Sequence, residues 1–412
     1  MPIPTSSRAF RLLVAGAVAL GASMAAVPAS ADPGFKKWRS QFYKTARKNG
    51  ISRVTFNKAF EGINSPDPDV LKKANYQPEF RHEMWQYFDS RVNDETAAHG
   101  QRMREQYAGT LASIERRYGV DRDILLAIWS MESRYGEILD RPGVLKPIVR
   151  SLGTLAYADR RRRKFATRQL LASLSMLQKG QVKKSDLMGS WAGAMGHTQF
   201  IPTSYRLYRQ NFDGRGNADI WKSVPDALAT AANLLKKNGW RTGQTWGYEV
   251  DVPRRLWAQR NKSRPIGSWE RMGVKRVAGR KFSNKRIKGR LVWPAGRNGP
   301  AFLLLKNFYV IKAYNNADKY ALAVGHLGDR IAGGKPFVTS LPRPYAKLTL
   351  EERKEVQVYL KRLGYYDGEI DGRYGNGTRK GIRAAQSRFG LKVDGFESPR
   401  LLKALGKSQR LE

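Results

Sequence analysis

A chain of 412 residues has room for two or three domains of about 100–200 residues each. Its 41% hydrophobic content, with 10 Trp, 16 Phe and 18 Tyr, excludes a disordered chain despite 27% charged residues. The formal net charge of +40 calls for an anionic partner, and the absence of cysteine excludes disulfides and a lipid anchor carried on cysteine.

Residues 1–31 differ from the rest. Arg8 and Arg11 precede an apolar run from Leu12 to Val27, and Pro28-Ala29-Ser30-Ala31 stand before Asp32. That is the layout of a cleaved secretory signal peptide. The alternative, an uncleaved anchor helix, is disfavoured because the run is short for a span of about 20 residues. Removing the segment takes two arginines and no acid, leaving +38. The expected destination is the periplasm, which disfavours nucleic acid as the partner.

Residues 32 to about 115 read as helical, with Trp38, Phe42, Tyr43 and Ala46, and later Met84, Tyr87 and Phe88, at helical spacing. A helical core follows over 116–250. There Asp123 is expected to cap a helix on which Leu125, Ile128, Trp129 and Glu132 share one face, with Gly136 as its stop. Glu132 thus continues an apolar stripe near the negative end of the helix dipole. Both desolvation and the dipole disfavour its charged form, as a general acid working near neutral pH requires. A solvated Glu132 paired with Arg134 is the alternative. The run Arg160 to Arg163 with Lys164 reads as a solvated helix face.

Gly189, Gly193 and Gly196 are too many for a comfortable helix interior. They suit either close approach of backbone to a ligand or a tight helix–helix contact. Ser190 and Gln199 offer neutral groups for sugar hydroxyls and acetamides. Ser223 to Gly239 reads as a capped amphipathic helix. Residues 251–305 carry Pro, Gly and short apolar runs, Leu291-Val292-Trp293 and Ala301 to Leu305, and read as strands. Helical pattern returns in 306–335 and is stopped by Gly333-Gly334. Residues 336–347, with Pro342, read as a linker. Residues 348–406 form a small helical unit in which Val356, Tyr359, Leu360 and Leu363 share a face. The expected class is mainly α, of α+β type.

Three ordered motifs resemble the lytic murein transglycosylases of the B type: Glu132-Ser-Arg-Tyr-Gly136; Ala192-Gly-Ala-Met-Gly196 with Gln199-Phe-Ile-Pro202; and Tyr314-Asn315 with Tyr320. The resemblance runs from about Pro78-Glu79-Phe80 to Arg330. It implies a lysozyme-like core, with Glu132 as the single catalytic carboxylate and Ser190, Gln199, Tyr314, Asn315 and Tyr320 lining a glycan groove. Met195 would pack on a sugar face, and His197 takes a structural or rim role. The implied reaction cleaves the bond between N-acetylmuramic acid and N-acetylglucosamine. It closes the muramic C6 hydroxyl onto C1 and needs no second acid, in contrast to hydrolysing glycosidases. Glu137 and Asp140 lie beyond or opposite the face of Glu132.

Residues 211–222 are similar to an EF-hand-like calcium loop of that family, with Asn211, Asp213 and Asn217 at ligand positions and Asp226 within reach. Arg215 stands where a ligand oxygen belongs, and a guanidinium accepts nothing. The expectation is therefore no cofactor, with calcium left open as the alternative. Arg215 would instead pair with Asp213 or Asp219. Residues 348–406 resemble a three-helix peptidoglycan-binding domain, with Asp371-Gly372 and Ala385-Gln386 as its characteristic positions. Such a module raises the effective concentration of an enzyme at its polymer. The implied partners are peptidoglycan strands and other cell-wall enzymes, the chain itself acting as a monomer. A hydrolytic muramidase and a non-catalytic wall-binding protein stay open as alternatives.

Overall fold

The computed structural model describes residues 32–75, 83–344 and 346–408. The signal-like segment 1–31 and Pro78-Glu79-Phe80 lie outside the described residues. Among the described residues no helix is long and apolar enough to cross a membrane.

The chain is helix-rich with small sheets. Its N-terminal helices are Pro33–Lys48, Arg53–Phe60 and Pro68–Asn75. The first two begin where a side chain takes an orphan amide. Asp32 accepts from the Phe35 N–H at 2.9 Å, and Ser52 from that of Thr55 at 3.1 Å. Phe35, Trp38, Phe42, Phe56 and Phe60 then form one aromatic cluster.

Helix Arg122–Ser133 is the centre of the molecule. Helices Asp94–Gln106, Ala108–Tyr118, Val224–Lys237 and Asp318–Ile331 surround it. It is not the amphipathic helix expected, because every residue from Asp123 to Met131 is buried. A helix apolar all round belongs in a core. Its cap is Asp121, whose Oδ1 accepts from the N–H of Asp123 at 2.8 Å and of Ile124 at 3.4 Å. Asp123 is displaced inward, where it pairs with Arg104 at 2.8 Å. The stop also comes earlier than Gly136. The helix ends at Ser133, and Arg134 and Tyr135 take left-handed backbone, at φ 52° and 60°.

Two short strands, β1 (Lys146–Pro147) and β2 (Met188–Gly189), pair antiparallel. They close the base of the glycine-rich segment. The strand region over 251–305 forms a separate unit. Strands β3 (Gly247–Asp251), β4 (Ser263–Pro265), β5 (Lys275–Arg276), β6 (Lys288–Val292) and β7 (Ala301–Leu304) make an antiparallel sheet in the order β4-β6-β7-β3-β5. Trp269, Leu291, Leu303 and Leu305 fill its own core. Gly289 and Leu291 point inward on β6 while Lys288 and Arg290 point out, the strand's two-residue period.

Of Arg160 to Lys164, only Arg163 and Lys164 lie on an exposed helix face; the first three form a turn. The Asp159 carboxylate accepts from the N–H groups of Arg161 and Arg162, making a turn that leads into helix Arg163–Gln178.

The C-terminal unit has helices Leu350–Arg362, Asn376–Arg388 and Pro399–Ser408. Thr349 and Glu352 form a reciprocal capping box. Two buried glutamines fix its Asp-Gly turns. Gln357 accepts from the Gly372 N–H at 2.6 Å, and Gln386 from the Gly395 N–H at 2.8 Å. The segment read as a linker is strapped down rather than free. Phe337 stacks on His326 at 3.6 Å and packs against Phe88 and Phe302. The N–H groups of Val338 and Thr339 donate to the Glu249 carboxylate at 2.9 and 2.8 Å.

Candidate active site

Glu132 sits in the last turn of the central helix. Part of its side chain is still open to solvent, yet protein encloses it on the other sides. That enclosure pushes its pKa up to about 7, against the lowering influence of the Tyr320 hydroxyl and of Arg91. Tyr320 donates to Glu132 Oε1 at 2.6 Å. The Tyr320 ring lies nearly parallel to that of Tyr314, with centroids 6.5 Å apart. Tyr314 donates to the Thr198 carbonyl at 2.5 Å and meets Phe200 edge-on at 5.5 Å. Burial raises both tyrosines far above the usual phenol range, so both remain hydrogen-bond donors.

This chain of contacts leads from Glu132 through Tyr320 and Tyr314 to Thr198 and Phe200, which flank Gln199. Gln199 is half-buried with left-handed backbone at φ 49°, and its Nε2 donates to the Gly196 carbonyl at 2.8 Å. Asn315 is exposed directly after the helix Lys306–Tyr314. Ser190 holds its own loop together, because its Oγ accepts from the N–H groups of Ala194 at 3.1 Å and Ala192 at 3.3 Å. Its O–H is still able to donate outward.

Met195 is different. It has no exposed surface, and its N–H and C=O both pair with Phe200. It is a core residue and not the face for a sugar that the resemblance implied. The glycines of this segment also serve the protein itself. A Cβ on Gly189 would stand 2.3 Å from the Ala194 carbonyl oxygen, and one on Gly196 2.3 Å from that of Ile220. Gly196 in addition has φ +66°. The tight contact is not helix–helix. It folds an irregular loop against the core.

That loop is tied to the Glu132 helix. Ser133 Oγ donates to the His197 carbonyl at 2.5 Å and accepts from the Gly136 N–H at 3.0 Å. His197 Nδ1 accepts from Trp129 Nε1 at 3.2 Å, and burial lowers its pKa, so the imidazole is neutral. His197 is thus a brace between the first two motifs. Glu137 and Asp140 stand at the surface, and Glu137 pairs with Arg141 at 3.6 Å.

Sequence reasoning missed Arg91. It lies at the end of helix Met84–Arg91, and its Nη1 donates at 3.2 Å to the carbonyl of Met131, the residue before Glu132. Its guanidinium lies 5.9 Å from the Tyr87 ring centroid. The i,i+4 spacing of Tyr87 and Arg91 is visible in sequence, but nothing local joins it to Glu132. A cleft of about 590 Å³, lined by Trp85, Pro294, Lys312, Asp318 and Pro342 among others, opens beside the helices that bear Tyr314 and Tyr320; Glu132 is not part of its lining.

In the loop 211–222 the carboxylates are engaged by the protein's own donors. Asp226 is fully buried and accepts from the N–H groups of Phe212, Asp213 and Asp219. Asp213 accepts from the Ser223 hydroxyl at 2.7 Å and from the Arg215 backbone N–H at 2.9 Å. The expected Arg215 side-chain pair is replaced by this backbone contact. Asn211 and Asn217 turn their amide N–H groups to the carbonyls of Gly216 and Gly180. The carboxylate oxygens are occupied by protein donors. Among the described residues no group of three or more His, Cys, Asp or Glu could hold a metal.

A helix-bundled core with one enclosed glutamate under paired tyrosines defines a lysozyme-like class. Residues 34–329 match the transglycosylase SLT domain, and residues 349–405 a putative peptidoglycan-binding domain; the chain belongs to the SLT transglycosylase-domain family. The crystal structure of SltB3 from Pseudomonas aeruginosa in complex with NAG-anhNAM-pentapeptide is 43% identical with a TM-score of 0.71, covering 91% of this chain and 100% of that one. The Escherichia coli lytic transglycosylase Slt35 in complex with calcium is 26% identical with a TM-score of 0.59, covering 73% of this chain and 93% of that one. The membrane-bound lytic murein transglycosylase B of E. coli is 30% identical over 240 residues, 55% of this chain and 61% of that protein. The chain thus spans about three fifths of the length of that curated relative.

Proposed function

We propose that this protein is a lytic transglycosylase of peptidoglycan that cleaves the β-1,4 bond between N-acetylmuramic acid and N-acetylglucosamine. Glu132 donates its proton to the glycosidic oxygen as the C1–O bond breaks. The resulting carboxylate then takes the proton of the muramic C6 hydroxyl as that oxygen bonds to C1. The product is a 1,6-anhydro end, no water enters, and Glu132 regains its proton. The substrate's own N-acetyl group helps to stabilise charge at C1 in the interval.

The observation that carries this reading is the setting of Glu132: in the last turn of the central helix and held by the Tyr320 hydroxyl at 2.6 Å, where burial pushes its pKa up to about 7. A carboxyl in that condition is protonated for the first half of the reaction and a competent base for the second. The acids nearest in sequence, Glu137 and Asp140, face solvent, unlike Glu132, and neither is assigned the water-activating role that a hydrolase requires. SltB3, whose structure carries an anhydro-muramyl ligand, supports the same product class. We infer further that the protein is exported to the periplasm by its first 31 residues, needs no cofactor, and acts as a monomer on glycan strands. The C-terminal unit adds a second hold on the polymer.

The test is digestion of purified sacculi by the wild type and by Glu132→Gln, with mass spectrometry of the released fragments. The wild type releases ends lighter by one water than hydrolytic ends; Glu132→Gln releases none. Anhydro ends at an undiminished rate from the variant overturn the assignment, and reducing ends from the wild type overturn the reaction.

A further inference from the structure

Helix Met84–Arg91 holds Arg91 and Tyr87 against the Glu132 site, and its outer side is held by parts of the chain remote in sequence. The Asp89 carboxylate forms a two-pronged pair with Arg343 of the strap, at 2.6 Å for each oxygen. Each side chain is 17% exposed. The Arg343 guanidinium also lies over the Trp85 ring, 5.1 Å from its centroid. The C-terminal unit touches the same helix directly. Trp85 meets Phe396 edge-on at 5.1 Å, Gln86 Nε2 donates to Asp394 at 3.4 Å, and Arg379 Nη2 donates to the Asp89 carbonyl at 3.2 Å. On the inner side Phe88 packs on Phe337, and Arg91 holds the Met131 carbonyl. Asp89 is therefore the point where the strap and the C-terminal unit meet a helix whose last residue binds the carbonyl next to the catalytic carboxyl.

We propose that Asp89 and Arg343 are positioning residues for the reaction at Glu132: the strap acts through this pair to set the active site, beside the C-terminal unit that holds the same helix. The proposal rests on the reading of Glu132 given above. Two parallel charge-assisted hydrogen bonds fix the angle of a guanidinium as well as its distance. A half-buried pair of this kind loses more when one partner goes than a surface pair would. Without it the short helix keeps Phe88 in the core and its contacts with Phe396, Asp394 and Arg379, but loses the pair that fixes its angle against the strap, and Arg91 shifts away from Glu132. Three groups face the carboxyl from neighbouring elements: Tyr320 from helix Asp318–Ile331, Tyr314 from helix Lys306–Tyr314, and Arg91. Of these three Arg91 is the cation, and its charge favours the carboxylate. Its withdrawal leaves Glu132 protonated to higher pH and a poorer acid.

The test uses the full-length protein and a short soluble glycan, for which tethering to the wall is irrelevant. Asp89→Asn, Arg343→Ala and the double variant are compared with the wild type for kcat, KM and the pH dependence of kcat, with thermal melts beside them. Either single variant should lower kcat about ten-fold with KM nearly unchanged, and move the alkaline limb of the pH profile upward. The double variant should be no worse than either single one, as for two partners in one interaction. The near-isosteric Asp89→Asn keeps the test open if Arg343→Ala does not fold. An unchanged kcat and pH limb in Asp89→Asn overturns the proposal, as does a double variant whose losses simply add. If the wild type itself makes reducing ends, the lytic reaction is refuted while the shift in the pH limb still decides the positioning role.

Discussion

Replacing Tyr320 with Phe removes one hydroxyl and keeps the ring that packs beside Tyr314. The hydroxyl donates to Glu132 Oε1 at 2.6 Å, a bond that strengthens as the carboxyl becomes a carboxylate. A hydrogen bond to a charged group is worth about 1.5–3 kcal/mol, and one to the neutral acid about 0.5–1.5 kcal/mol. The difference, about 1–2 kcal/mol, is the part felt when the proton leaves. It corresponds to roughly a five- to thirty-fold loss in kcat at about 1.4 kcal/mol per decade. The sign of the pH effect is fixed by the same difference. The Tyr320 hydroxyl lowers the Glu132 pKa from where burial alone would put it. Without it the pKa rises by about one unit, since one unit is about 1.4 kcal/mol. The variant is therefore slower at its optimum yet keeps its activity to higher pH than the wild type. The assay is the rate of anhydro-ended fragment release across the neutral range, read by chromatography with mass detection. An unchanged alkaline limb, or one that moves to lower pH, refutes the reasoning.

Ser133→Ala removes a buried hydroxyl that links the Glu132 helix to the His197 loop and caps the Gly136 N–H. The expected cost is about 1–3 kcal/mol for the partners left unsatisfied, measured by denaturant melts. Treatment with a calcium chelator should leave the melting temperature unchanged, because Asp226 and Asp213 already hold backbone and hydroxyl donors. Asp226→Ala, by contrast, strands three N–H groups and should lower stability by at least about 2 kcal/mol. Met195→Leu should change KM for a soluble glycan by less than about two-fold, as expected of a volume-conserving core change; a large rise in KM would return Met195 to the groove.

What sequence discloses and what it hides divide along the range of the interaction. Glu132 is legible because Leu125, Ile128 and Trp129 lead to it at helical spacing, a pattern written within two turns. The strands β6 and β7 are legible from short apolar runs between glycines and prolines. The cap is misread because Asp121 and Asp123 are equally good cap residues two positions apart; only the chain direction at Asp121, with ψ 127°, decides between them. Met195 is misplaced for a related reason. Its neighbours alternate between core and groove in an irregular loop, where neither a two- nor a 3.6-residue period applies. Arg91 and the Asp89–Arg343 pair are hidden because 254 residues separate the partners of that pair, and no local pattern spans such a distance. In the loop 211–222 Arg215 alone argues against a metal, but the web of backbone N–H groups around Asp226 has no signature in sequence.

The sheet unit over 251–305 carries fifteen Lys and Arg against two acids, and all of these cations except Arg276 are exposed. Among the described residues only Lys285 with Glu270 forms an ion pair inside it. So many like charges on so small a body repel one another, and that repulsion is strain borne by the free protein. Anything anionic that settles among them relieves it, so binding and folding are linked there. The unit should melt higher in the presence of a carboxylate polymer than in buffer of equal ionic strength. Its stability is in that sense partly supplied by whatever anionic partner it meets.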